Sequence, residues 1–450
     1  VAPLAALACA WAAPAFAAGG GNAGDLGGVV LLVVMVGVAY LLAHVVVDRL
    51  QRRFLLVTGV EYALLGLLMG PTLTAIPVFL DPKPLAPVIA LAAGWVGLAF
   101  GARFDGSSVR DPDATRIGIV DALITGGLVA AGTWLVLTWA PVLLAPAHTS
   151  LASALGRSTE LPDFEPGRVL IAALVLGCAA AARSTSALDL VRRRYGLTGG
   201  LPDTLERAGL ACDTVAVLAF GLIFCVWHSG ESQLPRMVVW GEWVLLTQLL
   251  GGALGLLFSQ FFGEDERKDE SNRFLALVGI ITFASGAAFY LNLSPLLVNF
   301  ILAVVMVRTS PQGRSIAPTL ERSRNPVRLL LLVFAGALIV DVPLVLAAFT
   351  IAATIALRFG ARAIAGWFAT IGTDVRRDVY RGTLAQGDIA LAMAISYRIA
   401  YHGPEVDIAY VAIVASVLVN ELFAPRTLKG LLVDAGEIRS ELPPRPAATT

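Results

Sequence analysis

The chain has 450 residues, 57% of them hydrophobic and only 15% charged, and its mean hydropathy is +0.77. Such usage excludes an ordinary soluble domain, and a formal net charge of zero gives no support to nucleic-acid binding. Repeated apolar runs of about 20 residues, without the alternating ~10-residue segments of a β-barrel, point to an all-α polytopic membrane protein.

Residues 1–18 read as a signal peptide. Leu4–Ala13 is apolar but too short to span, and Ala15-Phe16-Ala17 has the small-x-small form of a cleavage site. About thirteen spans follow, near 27–47, 54–70, 85–104, 116–140, 167–190, 202–227, 236–262, 273–291, 294–308, 326–341, 343–364, 378–401 and 405–424. Basic residues gather in alternate loops: Arg49, Arg52 and Arg53; Arg103, Arg110 and Arg116; Arg192 to Arg194; Arg267, Lys268 and Arg273; Arg308 to Arg328; Arg362 to Arg381; and Arg426 onward. The opposite loops hold only Lys83, Arg157, Arg168, Arg236 and Arg398. This bias places the basic loops and the C-terminus in the cytoplasm and the mature N-terminus outside, as expected of a protein of a bacterial inner membrane. Gly263–Glu270 reads as a solvated mixed-charge linker, and 441–450 as a disordered tail. Cys9, Cys178, Cys212 and Cys225 have no metal-ligand spacing and read as small hydrophobes. No Gly-rich dinucleotide fingerprint is present, so no cofactor is expected.

An odd number of spans permits two six-helix halves of opposite orientation joined by the seventh, the inverted-repeat plan of many secondary transporters. That plan places ion sites at interrupted helices near mid-membrane. The fifth span carries Ala182-Arg-Ser-Thr-Ser-Ala187, and its counterpart, the twelfth, carries Thr383-Leu-Ala-Gln-Gly-Asp388. Between them stands Asp213, in a stretch otherwise apolar enough to cross a bilayer. A carboxylate at that depth costs roughly 2.5–3.5 kcal/mol on the insertion scale, and it can hold either a proton or a cation. Glu61, Asp121, Arg183 and Asp189 are further charges in apolar segments. For these, function and structural pairing, such as Arg183 with a nearby acid, are both open.

Four segments carry a resemblance: Thr58–Pro71, which ends in Gly-Pro; Leu293–Phe300, with a Ser-Pro start; Leu384–Leu391; and Asn420–Pro425 followed by Ala435-Gly-Glu437. In this order the chain resembles the sodium/proton antiporters of the monovalent cation:proton antiporter superfamily, related to potassium-efflux and spore-germination antiporters, over roughly residues 27–440. The resemblance implies crossed broken helices, exchange of Na⁺ or K⁺ (or Li⁺) for H⁺, and a homodimer. It makes Asp213 the shared carrier of cation and proton, with Thr185 and Ser186 offering oxygens at the first break and Gln386, Gly387 and Asp388 at the second. The position before the carrier departs from the family, since Cys212 stands where Asp or Asn is usual. A neutral thiol there points to one cation per proton, an electroneutral cycle. Arg358 matches the family's basic residue on the second half's core helix. It is either a fixed positive group, because arginine does not release its proton, or a cation snorkelling at a helix end. Asp388 is then either a second titrating site or the partner of Arg358.

Two other readings stand beside the antiporter. Cys212 and Arg183 would fit a sensor on the same fold that no longer transports. A pair of intramembrane aspartates, Asp213 and Asp388, would fit an aspartyl protease. Against the latter, Ala385 stands where the first Gly of Gly-x-Gly-Asp is required.

Overall fold

The computed structural model describes residues 59–70, 82–104, 111–155, 162–197, 200–229, 238–261, 270–309 and 317–438. The expected signal peptide, the span at 27–47 and the tail at 441–450 lie outside the described residues.

The described residues form helices and no strand. In chain order they are α1 (Val60–Met69), α2 (Pro82–Ala102), α3 (Pro112–Leu155), α4 (Pro166–Ala181), α5 (Ser186–Tyr195), α6 (Leu201–Val226), α7 (Trp240–Phe261), α8 (Glu270–Tyr290), α9 (Pro295–Thr309), α10 (Ala317–Ala337), α11 (Leu344–Ala369), a 3₁₀ segment (Arg377–Gly382), α12 (Asp388–Ala400) and α13 (Pro404–Asp434). Among the described residues seven spans are long and apolar enough to cross a bilayer, α4 and α5 together making one of them. Their large exposed side chains are apolar, such as Trp139, Val142, Leu143 and Leu245, where water would reject them and lipid accepts them.

The predicted spans within the described residues fall on these helices, with three differences of extent. α13 runs to Asp434 rather than ending near 424. α3 runs to Leu155 rather than ending near 140, and it carries Pro141 and Pro146 within its length. α10 begins at Ala317, a turn and more before the expected 326, so Arg324 and Arg328 lie on the helix instead of in a loop. Arg362, also assigned to a cytoplasmic loop by the charge bias, is fully buried within α11.

The spans at 167–190 and 378–401 are both broken. α4 stops where Ala182 turns extended (φ −60°, ψ 139°), and helix resumes at Ser186. Serine and threonine offer the backbone local hydrogen bonds that compete with helix. Here Ser184 Oγ accepts the Ser186 N–H at 3.2 Å and lies 2.7 Å from Ser186 Oγ. In the second interrupted span the chain leaves the 3₁₀ segment at Thr383 and re-enters helix at Asp388. The two breaks cross and touch, with Ser184 N–H donating to Ala385 O at 3.2 Å. Only a glycine fits at 387, because a Cβ there would lie 2.6 Å from Ser184 Oγ and 2.7 Å from Ser184 Cβ.

Around this crossing, α3 packs on α4, α6 and α11, and α13 packs on α11, α12 and α4. α1, α2, α8, α9 and α10 pack among themselves, and this second group meets the first chiefly where α2 and α10 touch α12. α6 lies close against α3, since a Cβ on Gly118 would come within 2.2 Å of Ala208 O. That approach sets Cys212 and Asp213 beside the upper part of α3.

Candidate functional site: a carboxylate at the crossing of two broken helices

A helix that ends inside a bilayer exposes its last carbonyls, which carry the negative end of the helix dipole and need donors. α4 obtains them from side chains of three other elements. Gln386 Nε2 donates to Ala179 O at 2.7 Å. Arg358 Nε and Arg362 Nη2 donate to Ala180 O at 3.0 and 2.9 Å. Arg362 Nη2 and the Cys212 thiol donate to Ala181 O at 2.5 and 3.2 Å. Arg358 also reaches the second break, with Nη1 on Leu384 O at 2.7 Å and Nη2 on Ala385 O at 3.4 Å. Gln386 in turn accepts from Ser416 Oγ and Asn420 Nδ2, at 3.0 and 3.1 Å, which ties the second break to α13.

Arg358 is therefore a bridge between the breaks. It is 1% exposed, which excludes a snorkelling helix-end cation, and its acceptors are backbone carbonyls rather than Asp388. Asp388 instead opens α12, where the helix dipole favours an anion. Its carboxylate lies 3.4 Å from both Arg324 Nε and Arg328 Nε. Arg324 continues to Asp189 at 3.4 Å and to Thr185 Oγ1 at 3.1 Å, and Arg328 pairs with the buried Glu421.

Asp213 differs from these acids. It is 6% exposed, and its Oδ1 accepts the backbone N–H of Arg183 at 2.6 Å. Among the described residues it forms no ion pair. The Arg183 guanidinium goes instead to Asp121 of α3, which also receives Arg362 Nη1 at 2.5 Å and the Thr125 hydroxyl at 3.0 Å. Asp121 is thus held by two arginines. Cys212 lies at the edge of this cluster, with its sulfur 3.8 Å from Arg362 Nη1 and 4.0 Å from Asp121 Oδ2.

Asp213 lines a cavity of about 60 Å³, room for a few water molecules. The same cavity is lined by Arg183, Ser184, Thr185 and Asp388 from the breaks, by Trp95, Phe100 and Arg103 of α2 and its C-terminal turn, and by Arg324 and Arg328 of α10. Of the residues singled out in the sequence, Asp213, Thr185 and Asp388 meet here. Ser186 does not line the cavity, and Ser184 takes that place. Gln386, Gly387, Cys212 and Arg358 form the supporting layer behind it. Arg362, Arg324, Arg328 and Glu421 escaped the sequence reading. For Arg362 a signal existed, since Thr350, Thr354, Arg358 and Arg362 recur every four residues and so share one face of α11.

Crossed broken helices with a buried carboxylate beside them define a helical membrane protein of the sodium/proton antiporter fold. The solved structures that share it include the sodium/proton antiporter MjNhaP1 from Methanocaldococcus jannaschii at pH 8, with TM-score 0.52 and 17% identity, covering 90% of this chain and 98% of that one. An electron-microscopy structure of MjNhaP1 from the same organism gives TM-score 0.52 and 16% identity, over 92% of this chain and 99% of that one. No family model matches the chain, and no curated protein does.

Proposed function

We propose that the protein is a member of the monovalent cation:proton antiporter superfamily. In this reading it exchanges a monovalent cation, Na⁺ or K⁺, for protons by alternating access, with Asp213 carrying each in turn. The observation that supports this best is that Asp213 is buried, lines the cavity at the crossing, and is paired with no cationic side chain among the described residues. A carboxylate so placed is costly while ionised and bare. Either a proton or a small cation relieves that cost, and the two exclude each other. Thr185 and Ser184 supply hard oxygen donors in the same cavity. The N-terminal ends of α5 and α12 also point to the crossing. Their positive ends hold Asp189 and Asp388, which Arg324 and Arg328 already neutralise.

The expected stoichiometry is one cation per proton. Asp121 is committed to two arginines, Asp388 is held by two more, and Cys212 is a neutral donor to Ala181 O, which leaves Asp213 as the cavity carboxylate without an arginine partner among the described residues. Residence in the inner membrane and assembly as a homodimer go with this reading. An aspartyl-protease dyad is disfavoured, because Asp213 and Asp388 share no hydrogen bond and Asp388 is engaged by arginines.

Proteoliposomes with an entrapped pH dye test the proposal. Pulses of Na⁺, K⁺ or Li⁺ should dissipate an imposed pH gradient, and Asp213→Asn should abolish the response. A folded wild-type protein that answers to none of the three cations would refute exchange and favour the sensor.

A further inference from the structure

Arg183 presents two groups to two different acids. Its backbone N–H holds Asp213 at 2.6 Å, while its guanidinium turns away to Asp121. Because Asp213 accepts the backbone N–H of Arg183 itself, and both residues line one cavity, the carboxylate lies within one side-chain length of the guanidinium, which does not touch it. Arginine is always charged, and its fork is well matched to a carboxylate. A buried guanidinium that loses its partner carries an uncompensated charge and is driven to another one.

Resting on the exchange reading above, we infer that Asp121 is a positioning residue whose task is to hold the Arg183 guanidinium off Asp213, keeping that carboxylate open to the transported cation. Asp121 is fitted for this in three ways. It is 2% exposed and so cannot be drawn into solvent. Its second arginine, Arg362, is anchored on Ala180 O and Ala181 O and fixes it from the far side. The Thr125 hydroxyl, four residues on, occupies its other oxygen. Without Asp121, Arg362 keeps its carbonyl partners, whereas Arg183 has Asp213 beside its own backbone; Asp388, the other carboxylate lining the cavity, is already held by Arg324 and Arg328. The guanidinium then becomes a tethered competitor of the cation.

A competitor has a kinetic signature that lost packing lacks. Asp121→Asn should raise the apparent KM for Na⁺ on the order of tenfold while leaving the rate at saturating Na⁺ close to wild type, because enough cation displaces a tethered rival. Asp121→Glu, which keeps the pair, should stay near wild type. The charge-balanced double variant Asp121→Asn/Arg183→Gln should bring KM back to within about threefold of wild type. The readout is dye-reported proton flux in proteoliposomes across a Na⁺ titration, repeated with K⁺. A KM that does not rise in Asp121→Asn, or a rise that Arg183→Gln fails to reverse, overturns this inference while leaving exchange by Asp213 intact. Wild-type vesicles without cation-dependent flux overturn both. Should Asp121→Asn fail to fold, the double variant decides alone, and a tenfold higher KM in it refutes the inference.

Discussion

Gly387→Ala tests the crossing with a single methyl group. The added Cβ would sit 2.6 Å from Ser184 Oγ and 2.7 Å from Ser184 Cβ, with Glu421 Oε1 at 3.4 Å. Carbon atoms in contact prefer about 3.5–4.0 Å, so the two breaks must part by roughly 1 Å. Overpacking of this kind costs typically 1–3 kcal/mol. The Ser184 N–H to Ala385 O bond, 3.2 Å long and the one backbone link between the breaks, stretches with it. Arg183, adjacent to Ser184, shifts its N–H relative to Asp213, and misplacement on this scale can cost on the order of 10²-fold in rate. The assay is proton flux together with the melting temperature in detergent. Gly360→Ala is the matched control, because a Cβ at this position in α11 meets nothing within 4 Å. It should be neutral or stabilising by up to about 1 kcal/mol. The clash is with the Ser184 side chain alone at the closest points, so Ser184→Gly in the Gly387→Ala background should restore much of the rate. Full activity in Gly387→Ala, or damage that Ser184→Gly leaves unchanged, would refute the contact as the reason for glycine.

Two further outcomes follow from the layer behind the cavity. Cys212→Ala removes one weak donor from Ala181 O, which keeps Arg362, so exchange should persist with a loss of no more than about 1 kcal/mol in detergent melting; Cys212→Asp instead adds a carboxylate beside Asp121 and Arg362, and flux should become sensitive to an imposed membrane potential. Arg362→Met strips Asp121 of one partner and two α4 carbonyls of a donor, for which a destabilisation of about 3–5 kcal/mol is expected, whereas Arg168→Met, at a residue 54% exposed, ion-paired with Glu165 and donating to His402 O, should change the melting point by less than about 1 kcal/mol equivalent.

The parts of the site that could be read in the sequence are those that break a local rule. Asp213 interrupts an apolar run, and Ser184-Thr185-Ser186 interrupts a helix, so each announces itself within a few residues. The partners could not be read because the contacts join distant positions: Asp121 to Arg183 is a separation of 62, and Asp121 to Arg362 one of 241. Arg362 was moreover misassigned for a physical reason. Counting arginines toward the cytoplasmic side assumes each is solvated, yet one set among the carbonyls of an interrupted helix and a buried aspartate finds partners for both its Nη groups without water. Arg324 and Arg328 were misplaced in the same way, since α10 begins earlier than its apolar stretch. Of the two roles expected for Asp388, a second titrating site or the partner of Arg358, the pairing is not found. A basic residue expected near a break suggested a pair, whereas the guanidinium of Arg358 is spent on carbonyls.

The capping of α4 from α11 has a mechanical consequence. Carbonyls within a bilayer have no water to fall back on, so the end of α4 cannot withdraw from Arg358 and Arg362 without leaving bare dipoles in a dry medium. α4, α11 and the second break are thereby geared together, and a shift of one drags the others. α10 is joined to α5 and to the start of α12 by ion pairs of 3.4 Å, lengths at which a water molecule can begin to take over from either partner, and to α13 by the closer, buried pair of Arg328 with Glu421. Which of these joints is stiff and which can give is set by what replaces a contact when it opens: nothing at the end of α4, solvent at the 3.4 Å pairs.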